Sequence, residues 1–163
     1  IVEVAWAEVI RADNLARDAA ALIADTTMEN VEASKAKSIE AKELFSDARV
    51  QFENAAQEYP SANLSAHIEY IEKRIAAMDY AIASDDAILA YDKDTAASQN
   101  DAYNQVDQEA AALAETLSDS PSDQVRSAYL RDIEEPGKLY SEARSVAATA
   151  DAFIRDYLGS NGK

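Results

Sequence analysis

The chain contains no cysteine, so it has no disulfide framework, no thiolate metal site and no thiol nucleophile. Only 3 glycines and 3 prolines occur among 163 residues, which leaves few places for turns and predicts long helices. No stretch of about 18 consecutive apolar residues exists, so no segment reads as a membrane-spanning helix. Basic residues are scarce: 15 Lys and Arg stand against 31 Asp and Glu, a formal charge of −16. Nucleic acid requires a basic stripe that displaces counterions, and an anionic membrane surface would repel such a chain. There is a single histidine, His67, and no Glu-x-x-His pair, which excludes the di-iron chemistry of carboxylate-bridged helical bundles. The glycines, at 137, 159 and 162, form no phosphate-binding loop.

What is present is alanine, about a fifth of the chain, and an uninterrupted heptad. From Leu64 the pattern runs through Ile68, Ile71, Ile75, Met78, Ile82, Asp85, Leu89, Asp92, Ala96, Gln99, Tyr103, Val106, Ala110 and Leu113 to Leu117. Steps of four and three alternate without a slip, the signature of a helix packed in a coiled-coil-like bundle. A second repeat, Ala41, Phe45, Ala48, Phe52, Ala55, Tyr59, matches it in antiparallel register about the turn Tyr59–Asn63. The first residues, Val2, Trp6, Val9, Asp13, Ala16, Ala20 and Ile23, repeat out of step with this, and Thr26-x-x-Glu29 has the form of a capping box. With no Gly or Pro there, a register shift inside one continuous helix is the expectation. A third repeat, Val125, Tyr129, Asp132, Pro136, Leu139, Ala143, Val146, Ala150, Phe153, Tyr157, follows the start signal Ser120-Pro121-x-Asp123 and carries a kink at Pro136.

The expected fold is all-α: one elongated, antiparallel three-helix bundle over residues 1–163, with helices at about 2–59, 64–117 and 121–158. Counting along the repeats brings Tyr157 level with residue 83. Residues 41–82 then form a two-helix coil projecting from a three-helix body.

Asp85, Asp92 and Gln99 occupy one heptad position where apolar residues belong, and the pairing sets Ser34 and Ser38 opposite. A buried carboxylate is costly unless paired. A hydrated layer that fixes register is the simpler meaning, and a site for an ion or small ligand the sharper one. Asp92-Lys93-Asp94 lacks the glycine and terminal glutamate of a calcium loop. His67 falls off the seam beside the turn, in a solvated position, and Trp6 falls on the seam as a core anchor. Tyr70, Tyr80 and Tyr91 cover the groove. The turns, with Tyr59, Pro60, Ser61 and Asn63 at one and Ser118, Asp119 and Ser120 at the other, are candidate partner contacts. Asn63-Leu64-Ser65 is a glycosylation sequon.

An elongated, cysteine-free bundle rich in Ala and acidic residues and nearly lacking Gly resembles the helical surface coat proteins of trypanosomes, of the glutamic acid/alanine-rich type. The resemblance implies a non-enzymatic extracellular coat protein without cofactor. It would be held by a C-terminal lipid anchor beyond the visible chain, with neighbouring copies or a host protein as partners. The first residues already read as helix and no Met precedes them, as in a processed chain. Locally, Tyr59-Pro60-Ser61 between long helices is similar to the Tyr-Pro-Thr turn of streptococcal choline-binding adhesins, although Ser replaces Thr and Ala56-Gln57-Glu58 replaces the basic residues before it. That likeness implies an adhesin. A coiled-coil scaffold that dimerises through its hairpin is the third possibility.

Overall fold

A computed structural model describes residues 1–117 and 120–161, and every regular element among them is helical. Five α-helices are present: α1 (Val2–Ile23), α2 (Met28–Glu58), α3 (Ser65–Leu89), α4 (Lys93–Ala114) and α5 (Pro121–Asn161). A single 3₁₀ turn, Pro60–Ala62, joins α2 to α3.

Both long helices expected from the repeats are broken in the middle, and neither break uses Gly or Pro. Helix one stops after Ile23 and restarts at Met28, where the N-cap Thr27 accepts a hydrogen bond from the Asn30 amide (3.2 Å). Helix two stops at Leu89 and restarts at Lys93. There Tyr91 takes a left-handed φ of 59°, and Asp92 caps α4 by accepting from the Thr95 amide (3.1 Å) and hydroxyl (2.7 Å). Side-chain oxygens at such positions satisfy amides that a new helix leaves unpaired.

Two short loops therefore fold each long helix back on itself, and α1–α4 make an antiparallel four-helix bundle. Cross-helix pairs fix its order. Lys37–Asp18 and Arg11–Glu40 tie α1 to α2; Lys35–Asp86 and Lys42–Asp79 tie α2 to α3; Lys73–Glu109 ties α3 to α4. The α2–α3 pairs lie two residues from the register read off the repeats. The seam residues are buried as their repeats require: Phe45, Phe52 and Ile71 are wholly inaccessible, and Leu64 and Met78 nearly so. Alanines at 5, 12, 16, 41, 48 and 77 line the same core and let the helices approach closely.

This corrects the three-helix layout. Residues 41–82 do not project as a two-helix coil, because α1 and α4 cover them. Nor does the last helix return along the bundle. Its first turns pack on the Tyr59 turn, where Tyr59 meets Tyr129 edge-on at 6.2 Å and Ser61 donates to Asp132 (3.0 Å). From Tyr129 to Gly159 every residue is exposed, and the ion pairs Lys138–Glu134 and Arg155–Asp151 are internal to the helix. The seam that α5 was expected to fill is already occupied by α1 and α4. The helix continues without interruption through Pro136.

Candidate functional site

Three layers stack along the body. Nearest the Tyr59 turn and the start of α5 is an aromatic layer. Trp6 meets the ring of His67 edge-on at 5.3 Å, His67 stacks on Phe52 at 5.7 Å, and Tyr70 packs beside Trp6. His67 is 2% exposed, not solvated as its place beside the turn suggested. The helix that covers it, α1, was expected elsewhere.

The middle layer is ionic. Arg74 of α3, itself buried, binds Asp13 of α1 through Nε (2.8 Å) and Asp107 of α4 through Nη1, and its guanidinium lies 5.7 Å from the centre of the Phe45 ring of α2. Tyr70 donates its hydroxyl to the second Asp13 oxygen (2.7 Å). Burial, and then the Asp13 carboxylate, push the Tyr70 phenol well above its usual range, so it stays a donor. Every member of this layer is paired. Asp13 on an apolar heptad position was the signal that a cation must come from another helix; Arg74, one step off the seam, escaped the repeat.

The third layer holds the residues singled out as polar core. Asp85 of α3 is 3% exposed and accepts from the Ser34 hydroxyl of α2 (2.9 Å). Burial pushes its carboxyl up to about 6, and the Ser34 hydrogen bond opposes this only in part. The nearest cation, Lys35, pairs with the neighbouring Asp86 instead. Ser38 is 1% exposed and its hydroxyl has no hydrogen-bond partner. These groups border a cavity of about 190 Å³, partly open to solvent, to which all four helices contribute. Ala16, Ala19, Ala20 and Ile23 come from α1, Ser34 and Ser38 from α2, Met78, Ala81, Ser84 and Asp85 from α3, and Asn100, Tyr103 and Asn104 from α4.

Thus Asp85, Ser34 and Ser38 come together, whereas Asp92 and Gln99 do not join them. Asp92 is exposed and serves as the α4 cap, and Gln99 is partly buried outside the cavity lining. The heptad position was misleading there because the helix turns back between Leu89 and Lys93. Arg155 supplies no cation to this layer: it lies on the exposed part of α5, its side chain 79% accessible. Of the turn candidates, Tyr59 and Ser61 are engaged by α5 within the chain, while Pro60 and Asn63 are exposed, with Asn63 in a left-handed conformation (φ 51°). It caps no helix through its side chain, since α3 starts without a side-chain cap. Ser120 is part-buried, its hydroxyl 3.1 Å from that of Ser122; Ser118 and Asp119 lie outside the described residues. Among the described residues, no group of three His, Cys, Asp or Glu side chains is placed to hold a metal ion, and no helix is long and apolar enough to cross a membrane.

The second notable surface is α5. Leu139, Val146, Phe153 and Tyr157 follow the heptad, and Ile133, Tyr140 and Ile154, spaced by seven and fourteen, form a row beside it, all half to nearly three-quarters exposed. Compared with known protein families, curated proteins and solved structures, the chain has no match.

Proposed function

We propose that this chain is a non-enzymatic assembly module: a four-helix body carrying a helical arm, α5, through which it pairs with a second copy of itself. The observation that carries this is the bare apolar face of α5. A helix in water with such a face is stabilised chiefly by packing it against another surface. The exposed apolar side chains offer on the order of 1,000 Å² per copy, above the roughly 800 Å² per partner of a standard interface. The face is three rows wide, broader than a two-row coiled-coil seam and suited to bundle-like packing.

Charge favours a second copy as the partner. Residues 1–117 carry 23 Asp and Glu against 9 Lys and Arg, whereas α5 carries 7 against 5. Two bodies repel; two arms hardly do. The arm is thus the one extended surface on which two copies of so acidic a chain meet at little electrostatic cost. The ionisable groups of the body support a non-catalytic role: Arg74 is held by two carboxylates and His67 sits among aromatic rings. A helical scaffold is therefore the favoured class, with the arm rather than the hairpin as the dimerising element and bundle-like packing in place of a coiled coil.

The strongly acidic body suits a crowded setting such as a cell-surface coat, where neighbouring bodies must stay apart. Surface labelling of intact cells expressing the full-length protein tests that setting. The pairing itself is tested by a spin label at Ala143→Cys, placed without interference because the chain has no native cysteine. A defined interspin distance between copies is expected. A featureless decay at every concentration contradicts it.

A further inference from the structure

We propose that the cavity beside Asp85 is a binding site for a small organic ammonium ion, an amine with a compact apolar body. This is independent of the arm and of its partner.

Three observations on different helices converge. First, the cavity wall is mixed. Ala16, Ala20, Ile23 and Ala81 are apolar, while Asp85, Ser38, Asn100 and Asn104 are polar. Pockets for small molecules have this composition, an apolar lining with a few placed polar groups that fix orientation. Second, Asp85 is the single charged residue on that wall, and the cation that would ordinarily neutralise it is committed elsewhere: Lys35 binds Asp86. The ionic layer nearby shows what a satisfied buried charge looks like in this protein, since Arg74 has two carboxylates and a ring. Asp85 has one serine hydroxyl. Third, the hydroxyl of Ser38, a residue of the same lining, is buried without a hydrogen-bond partner. A buried polar atom left unmatched is rare enough to require an occupant or a reason.

The class of ligand follows from these constraints. An inorganic divalent ion wants several oxygen ligands, and only one carboxylate is present. An anion is excluded by that carboxylate. An ammonium group donates up to three hydrogen bonds, enough for a free Asp85 oxygen and the Ser38 hydroxyl together. Tyr103 adds an aromatic wall to which a cation is attracted. The volume sets the size: an apolar cavity of about 150 Å³ accepts benzene, so about 190 Å³ holds a six-membered ring with an aminomethyl group.

Benzylamine, charged at neutral pH, is the probe, with benzyl alcohol as its neutral counterpart. The chain has two methionines, and only Met78 lines the cavity; Met28 is exposed. With ¹³C-methyl methionine, benzylamine is expected to move the Met78 signal saturably and leave Met28 in place, at constant ionic strength. Benzyl alcohol should bind at least about tenfold more weakly, and Asp85→Asn should weaken benzylamine by a similar factor. The asparagine keeps the shape and the Ser34 hydrogen bond. Ala20→Leu, which fills the cavity and leaves the carboxylate intact, should abolish binding and serves if the Asn variant does not fold. No saturable Met78 shift overturns the proposal. So does equal affinity for the alcohol, or a benzylamine affinity unchanged in Asp85→Asn.

Discussion

The body and the arm are written in the same code and meet opposite fates. In α2 and α3 the heptad residues Phe45, Phe52, Ile71 and Met78 are sealed from water; in α5 the heptad residues Leu139, Val146, Phe153 and Tyr157 are 60–71% exposed. A heptad states that a helix has a seam. It does not state which helix fills it. In the body the partners come from the same chain because the turns at 24–27 and 90–92 return α1 and α4 to the seam. The arm begins where all four seams are already taken.

Substitutions that test this difference range widely in expected size. Phe45→Ala removes a wholly buried ring that packs against Arg74, and should cost the body about 3–5 kcal/mol in denaturant unfolding. Phe153→Ala, the same kind of change on the arm, should leave the body's unfolding within about 0.5 kcal/mol when measured at high dilution. A large loss from the arm variant under those conditions would break the contrast. Arg74→Leu leaves Asp13 and Asp107 without their cation and should cost about 3 kcal/mol; pairing it with Asp13→Leu should recover part of that loss, because the half-buried carboxylate left without its cation is removed.

Asp85 should behave in the opposite sense. Its carboxyl is held near 6 in the folded chain against an ordinary 3.8, so the folded state holds this proton more tightly than the unfolded one. Its contribution to stability is full below pH 3.8 and is lost as pH rises through 6. Such a shift amounts to at most about 3 kcal/mol, and water reaching the cavity reduces this to about 1–2 kcal/mol. Asp85→Asn should therefore stabilise the protein at pH 7, and its stability curve should diverge from the parent's between pH 4 and 7. A variant less stable than the parent at pH 7 would show that the carboxylate has a partner in solution. A small gain is expected at the turn: Tyr91→Gly relieves a left-handed φ at an exposed residue and should raise stability by up to about 1 kcal/mol in the same unfolding assay.

Much of this was legible from residue spacing. The all-helical class, the turn at Tyr59–Asn63, the burial of Phe45, Phe52 and Ile71, and the approach of Ser34 to Asp85 follow from the repeats. The two breaks did not, for a physical reason. Helix stops are read from Gly and Pro, and these stops are encoded by the caps Thr27 and Asp92 and by a left-handed Tyr91. The two turns move the rest: the one at 90–92 takes Asp92 out of the core to cap α4, the one at 24–27 brings α1 over His67, and together they close the seam expected for α5. Arg74 escaped the repeats because its partners stand on α1 and α4, which a hairpin of two unbroken helices would hold far from it.

The state of association of the chain tests the role of α5 most directly. Sedimentation equilibrium from low to high micromolar concentration should give a monomer–dimer equilibrium for the parent. Val146→Asp, a charge in the middle of the arm's apolar face, should give a monomer throughout, with the body's stability unchanged. A parent that remains monomeric across the range, or a Val146→Asp variant that dimerises as well as the parent, would contradict it.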